Sequence, residues 1–365
     1  MGSTLFTNVR ILDGSGAAPY PGSVLVEGNR IKHISRSTAP ISAGDALQID
    51  AAGATLMPGM CEAHTHFSWN NAANLAGIQT MPLEEHVLWS AKVAKIYLEA
   101  GWTSCVGAAC AKPRLDVVIR NAINSGQIPG PRYLAASQEI TVPGALGDET
   151  LPHLPFPEFS FGANVNGAEE MRKCVRMFLK YGVDCIKLNL SGDNFTPDSP
   201  AETHWMTDAE VAAAMEEVKM RGKRGTAHAR SGPSVQQALR HGIEIIYHAS
   251  FCDEKTLDML EAAKDKVFVV PGIGIVHALL NEAEPWGVEF FVRYLGFTPM
   301  EAIRSCTLYG GQIMLKPNEL GLVKEGYLAD LLLVDGDPLT NLAILREPSR
   351  MLAVMKDGVF AKHPP

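Results

Sequence analysis

The chain has no apolar run of ~18 residues, no block of lysine and arginine, and no Cys-x-x-Cys pair. Each absence excludes a class. Without the first, nothing in the sequence reads as a membrane-spanning helix. Without the second, and with 32 Lys and Arg against 40 Asp and Glu for a net charge of -8, nucleic acid is not an expected partner. Without the third, the seven cysteines, scattered and odd in number, suit buried reduced thiols better than a disulfide frame. The amino-terminal segment Met1–Asp13 lacks a basic head, an apolar core and a small-residue cleavage site, so a cytoplasmic protein is expected.

What is present is 46% apolar composition over 365 residues, enough for a large core. Residues 4–50 read as short alternating strands broken by turns, and the texture returns at Ala329–Asp335, Met351–Lys356 and Val359–Phe360. Neither end has strands enough for its own core, so both are expected to pair into one β-sandwich, residues 1–57 with 320–365. Between them, over 58–319, apolar strands alternate with helices, among them Glu84–Ala100 and Ala168–Tyr181. Thr207, Asp208, Ala209 and Glu210 make a capping box that opens another helix. The fold class expected is α/β, a (β/α)8 barrel of the TIM type with a small accessory domain.

Seven barrel strands are countable: Gly59–His64, Thr103–Gly107, Arg132–Ala136, Cys185–Leu190, Gly225–His228, Ile243–His248 and Val267–Val270. An eighth strand and its helix need at least ~20 residues, and the sequence leaves no room for them. The expectation is that a segment is missing from the sequence between Gly287 and Val288, with a true deletion as the alternative.

Chemistry concentrates at the strand ends. His64 and His66 follow the apolar run 54–60, and residues two apart on a strand share a face, so both imidazoles can grip one cation. Two polar residues on a wet strand face are the plainer reading. Lys187 stands inside the apolar strand 184–190, where an ammonium would be badly desolvated. A neutral amine there can act as a base, form a Schiff base, or add to carbon dioxide as a carbamate bridging two cations. Pairing with Asp184 or Asp193 is the alternative. His228 and His248 each close a short strand, separated by the helix Pro233–His241. Either alone reads as a hydrogen-bonded core histidine; four histidines and a lysine at successive strand ends read together as a site.

These segments resemble the metal-dependent amidohydrolase superfamily, in its imidazolonepropionase-like branch, over nearly the whole chain. The resemblance is carried by Met57-Pro58-Gly59 leading to His64 and His66, by Ile186-Lys187-Leu188, by His228 and His248, by Thr298-Pro299-Met300-Glu301-Ala302 and by Gly326–Leu331. Within the branch the segment Lys187–Gly192 and the Trp69 loop are most similar to phenylurea and thiocarbamate (molinate) hydrolases, then to ochratoxin amidohydrolases and prolidase-like dipeptidases.

The resemblance implies that His64 and His66 bind one metal, with Lys187 as a carbamate bridging to a second held by His228 and His248. Zinc suits these donors, with manganese, iron or cobalt as alternatives. The family's metal-binding, proton-handling aspartate after the eighth strand has no match: Asp253 follows the sixth strand and Asp335 lies near the carboxyl end. The expected function is hydrolysis of an amide, urea or carbamate-type C–N bond in a small aryl or apolar molecule by a homo-oligomer. Trp69, His153, Trp205 and Arg230 are candidate substrate contacts. Arg230, two residues beyond His228, suits a substrate carboxylate, as an ochratoxin, Xaa-Pro or N-acyl amino acid hydrolase would need, or pairs with Asp193 or Asp253. A different class, a catalytically silent scaffold subunit of the same fold, would carry no stoichiometric metal.

Overall fold

A computed structural model describes residues 2–37, 41–72, 74–154, 160–193, 196, 198–272 and 288–365. At the amino end are β1 (Ser3–Ile11), β2 (Tyr20–Glu27), β3 (Arg30–Ser35), β4 (Leu47–Asp50) and β5 (Thr55–Pro58). The central strands are β6 (Met60–Thr65), β7 (Trp102–Gly107), β8 (Arg132–Leu134), β9 (Ala136–Thr141), β10 (Ala163–Asn164), β11 (Cys185–Asn189), β12 (Arg224–Ser231), β13 (Ile245–Phe251) and β14 (Phe268–Val270). At the carboxyl end come β15 (Leu331–Val334), β16 (Met351–Lys356) and β17 (Val359–Lys362).

The two ends meet in one hydrogen-bonded sheet ordered β17-β16-β15-β5-β1-β2-β3, with β4 also on β1. The expected sandwich is thus a single strand path, because β15 pairs directly with β5 and leaves no seam between the two ends. Phe6, Val24, Ile31, Leu56, Leu333 and Met355 belong to one buried apolar cluster on it.

All pairings among the central strands are parallel. β8 and β9 are one strand broken at Ala135: its first half pairs with β7 and its second with β11. The sequence reading ended this strand at Ala136, yet it continues to Thr141 and all of β9 is buried. With that strand counted once and the two-residue β10, which pairs only with β9, set aside, seven strand positions follow in chain order. Among the described residues β14 and β6 each pair on one side only, and the Gly287–Val288 junction lies outside the described residues.

Local chemistry sets the helix bounds. The Thr207–Glu210 capping box is formed and opens Asp208–Met220, satisfying backbone donors that a helix start leaves orphaned. Gly182 at φ 95° and Gly242 at φ 72° end Ala168–Tyr181 and Gly232–His241 in the left-handed region that glycine reaches without strain. No described helix is long and apolar enough to cross a membrane. All seven cysteines are free, five of them buried.

The terminal sheet is tied to the barrel by charge. Arg132, opening β8, reaches Asp330 at 3.3 Å and Asp357 at 2.8 Å, while the Asp357 N–H donates to Asp330 at 2.8 Å. Asp330 is 3% exposed, so its carboxylate depends on these partners. Asp330→Ala is expected to lower stability by about 3 kcal/mol, read as a shift in the urea midpoint. Recovery of part of the loss is expected when Arg132→Leu is added.

A second buried acid supplies a pH dependence. Asp116 accepts from the Tyr133 hydroxyl at 2.5 Å and the Ala136 N–H at 3.2 Å, and burial pushes its pKa from 3.8 up to about 7. Between those values the folded protein keeps a proton that the unfolded chain has released, so this group's contribution to stability falls as pH rises. Asp116→Asn cannot titrate. Urea titrations from pH 4 to 8 are expected to show the variant gaining on the parent by a few kcal/mol up to about pH 7 and then levelling.

Candidate metal centre

His64 on β6 and His66 just beyond it leave the strand on one face, with ring centroids 5.1 Å apart. On the neighbouring strands Lys187 stands opposite Thr226 and Glu139, and His228 opposite Asn189 and Tyr247. In-register residues of a parallel pair share a face, so Lys187, His228 and Tyr247 all point to the same side. His248, opposite Ala229, falls one step out of that register and by alternation should point away. Its backbone is left-handed, at φ 78°, as is that of Ala249 at φ 50°. That turn brings the His248 ring to 4.6 Å from His228 and 5.1 Å from His64. Such strain costs on the order of 1–3 kcal/mol per residue and concentrates where function requires a geometry.

Backbone carbonyls fix the rings. His66 Nδ1 donates to Ala109 O at 3.1 Å, His248 Nδ1 to Pro271 O at 3.1 Å, and His228 Nε2 to Gly192 O at 3.0 Å. A carbonyl only accepts, so the opposite nitrogen of each ring keeps a lone pair. His64 Nδ1 is buried and has no hydrogen-bond partner among the described residues. Burial pushes all four imidazole pKa values down, His66 to about 3, and the mutual proximity of His64, His66 and His248 lowers that of His64 further. These rings are neutral donors at neutral pH.

Lys187 is 1% exposed. Its amine lies 4.9 Å from the centroid of the Tyr247 ring and 3.7 Å from Glu139 Oε1. The carboxylates proposed from sequence as its partners are otherwise engaged: Asp184 with Arg120 at 2.5 Å and Lys223 at 3.4 Å, Asp193 with Arg230 at 2.8 Å. Burial pushes the lysine pKa down and Glu139 opposes the shift. Glu139 was missed in the sequence because it lies beyond Ala136, where the sequence reading ended its strand.

Asp193 is the other acid that sequence reasoning undervalued. Ligand atoms of Asp193, His228 and His248 all lie within 4.8 Å of one another. Asp253 instead caps the helix Glu254–Ala263, accepting from the Thr256 N–H, and Asp335 pairs with Arg350 beside the terminal sheet. Donors bound at ~2.1 Å to one ion stand at most about 4.2 Å apart, so the cluster needs little contraction to hold a cation. The neutral imidazoles, the orphaned His64 nitrogen and the flanking carboxylates fit a divalent metal.

The donors open into a cavity of about 1640 Å³ lined also by Trp69, Leu75 and Arg230. Trp69 stacks on His66 at 3.9 Å and packs edge-on against Phe161 at 5.7 Å. Arg230 is held by Asp193 at 2.8 Å and Ser250 Oγ at 2.9 Å. Two expected substrate contacts are not brought here. His153 sits exposed on the turn 151–154. Trp205 gives its indole N–H to Thr203 Oγ1 at 2.7 Å and packs on the barrel core.

Known proteins resemble this chain in family and in fold. The profile of the Amidohydrolase family matches residues 55–283 and 277–361. Ochratoxinase from Aspergillus niger is 24% identical over 377 aligned residues, covering 85% of this chain and 76% of that protein. A prolidase solved with N-methylphosphonate-L-proline superposes with a TM-score of 0.87 at 24% identity, over 99% of this chain and 100% of that one. Phenylurea hydrolase B superposes with a TM-score of 0.79 at 19% identity, over 98% and 96%. At such identities the superpositions speak to the fold, a TIM-barrel type with an additional domain.

Gly272 offers a test of the site's packing. It has φ 61°, and a Cβ there would lie 2.7 Å from His64 Nδ1 and 3.1 Å from His248 Cε1. Gly272→Ala is expected to cost about 1–2 kcal/mol through its backbone and, by pushing His64 and His248 apart, to lower metal content. Thermal melts and metal analysis of the two proteins check both effects.

Proposed function

Because the chain belongs to the amidohydrolase family, hydrolases of carbon–nitrogen bonds, we propose that it cleaves an amide, urea or carbamate-type bond of a small molecule at the cluster of His64, His66, Lys187, His228 and His248. The observation that carries the reading is the convergence of four neutral, carbonyl-oriented or unpartnered imidazoles around a buried lysine. His64 and His66 would hold one ion and His228 and His248 a second. Lys187 would bridge them after its amine adds to carbon dioxide, forming an N–C bond and releasing one proton. Zinc suits these nitrogen and oxygen donors, with manganese, iron or cobalt as alternatives. Bound there, a divalent cation lowers the pKa of water toward ~7 and polarises a scissile carbonyl.

The chain's own residues do the rest. Ala109, Gly192 and Pro271 carbonyls hold the rings in the tautomers that present lone pairs. Trp69 covers one face of His66 and, with Leu75, offers apolar surface for an aryl or alkyl group. Arg230, fixed on two sides and lining the same cavity, favours a second reading in which the substrate carries a carboxylate, as an N-acyl amino acid or dipeptide does.

Purified protein is expected to contain about one to two transition-metal ions per chain and to hydrolyse one class in a panel of phenylureas, thiocarbamates, N-acyl amino acids and Xaa-Pro dipeptides. His64→Ala should reduce turnover by on the order of a thousandfold. A protein free of stoichiometric metal would be a scaffold, and the reading would fail. Arg230→Met separates the two substrate readings: because it also removes the cation beside Asp193, some loss is expected for every substrate, and a further rise in KM confined to carboxylate-bearing substrates marks the second reading.

A further inference from the structure

We infer that Asp193 is itself a donor to the metal half held by His228 and His248, an oxygen ligand supplied from the loop after β11. The inference deepens the reading above and rests on it. Three observations carry it. The carboxylate is 7% exposed, so it is not a solvated loop acid. Its ligand atom shares a 4.8 Å cluster with those of His228 and His248. The segment that carries it is anchored on both sides: the preceding carbonyl, Gly192 O, accepts from His228, and the Asp193 N–H donates to Ser199 O at 2.9 Å.

A buried carboxylate needs a compensating cation, and Arg230 Nε at 2.8 Å provides one. Arg230 has a second hold on Ser250 Oγ at 2.9 Å, so the guanidinium stays in place when the carboxylate turns its other oxygen toward an ion. Two imidazoles and one carboxylate give a three-donor set with positions left for water and substrate. Gly192 contributes as well: a Cβ there would lie 2.2 Å from Pro200 O and from Ser199 O, so the close turn that presents Asp193 demands glycine before it.

Cobalt(II) substitution tests this without reference to turnover. Wild-type protein, Asp193→Asn and Asp193→Cys are each stripped, reloaded with cobalt, and followed by metal stoichiometry, affinity and absorption spectrum. Asp193→Asn is expected to weaken the ion by more than about 100-fold and to alter the visible bands that report coordination number. Asp193→Cys is expected to show a new near-ultraviolet thiolate-to-cobalt band absent from wild type, since that band arises only if the side chain at this position bonds the ion. A loss of 100-fold or less in Asp193→Asn, with a cobalt-loaded Asp193→Cys lacking the band, would make Asp193 a positioning residue behind His228 and overturn the inference. Wild-type protein that takes up no cobalt would overturn the metal reading itself, a result distinguishable from the former.

Discussion

Nitrogen donors can hold a cation only while they are unprotonated, and here that condition is met by exclusion of water. His64, His66, His228 and His248 have their pKa values lowered chiefly by burial, and the same burial lowers that of Lys187. A cluster of polar groups removed from water is unfavourable unless each finds a partner. The structure answers with backbone carbonyls for three of the rings, Glu139 beside the lysine and Arg230 beside Asp193. Among the described residues His64 Nδ1 is left without a partner.

Much of this was legible in the sequence because parallel strands impose a strict alternation. His64 and His66 two apart, Lys187 inside an apolar strand, and histidines closing successive strands are patterns that period-two geometry turns into a common face. The capping box at Thr207–Glu210 and glycine at the helix ends were equally plain, since both satisfy backbone groups by local means. His248 reaches the cluster by a route that alternation does not supply. Alternation alone would turn it away from His228, and only a left-handed backbone at 248 and 249, invisible in sequence, turns it back.

What was missed shares a cause. Glu139 acts through a neighbour distant in sequence, Lys187, and Asp193, read from sequence as an ion-pair partner of Lys187 or Arg230, was not read as a member of the donor cluster; acids in polar segments carry no periodic signal. Trp205 and His153 were promoted because they are chemically suited and lie between strand and helix; the fold spends one on packing and leaves the other in solvent. Arg230 was read with two prospective roles; it forms the ion pair with Asp193 and also lines the cavity wall.

The direct pairing of β15 with β5 has a kinetic side. Strands made first, β1 to β5, obtain their remaining neighbours only after more than two hundred residues of barrel have been synthesised, so the sheet has a high contact order and must close late. Until then the edge of β5 offers unsatisfied backbone groups to any passing strand. Arg132, Asp330 and Asp357, which join barrel to sheet, therefore serve as the latch of the last assembly step, and a cell that slows translation of the carboxyl end would lengthen the interval in which this chain is prone to aggregate.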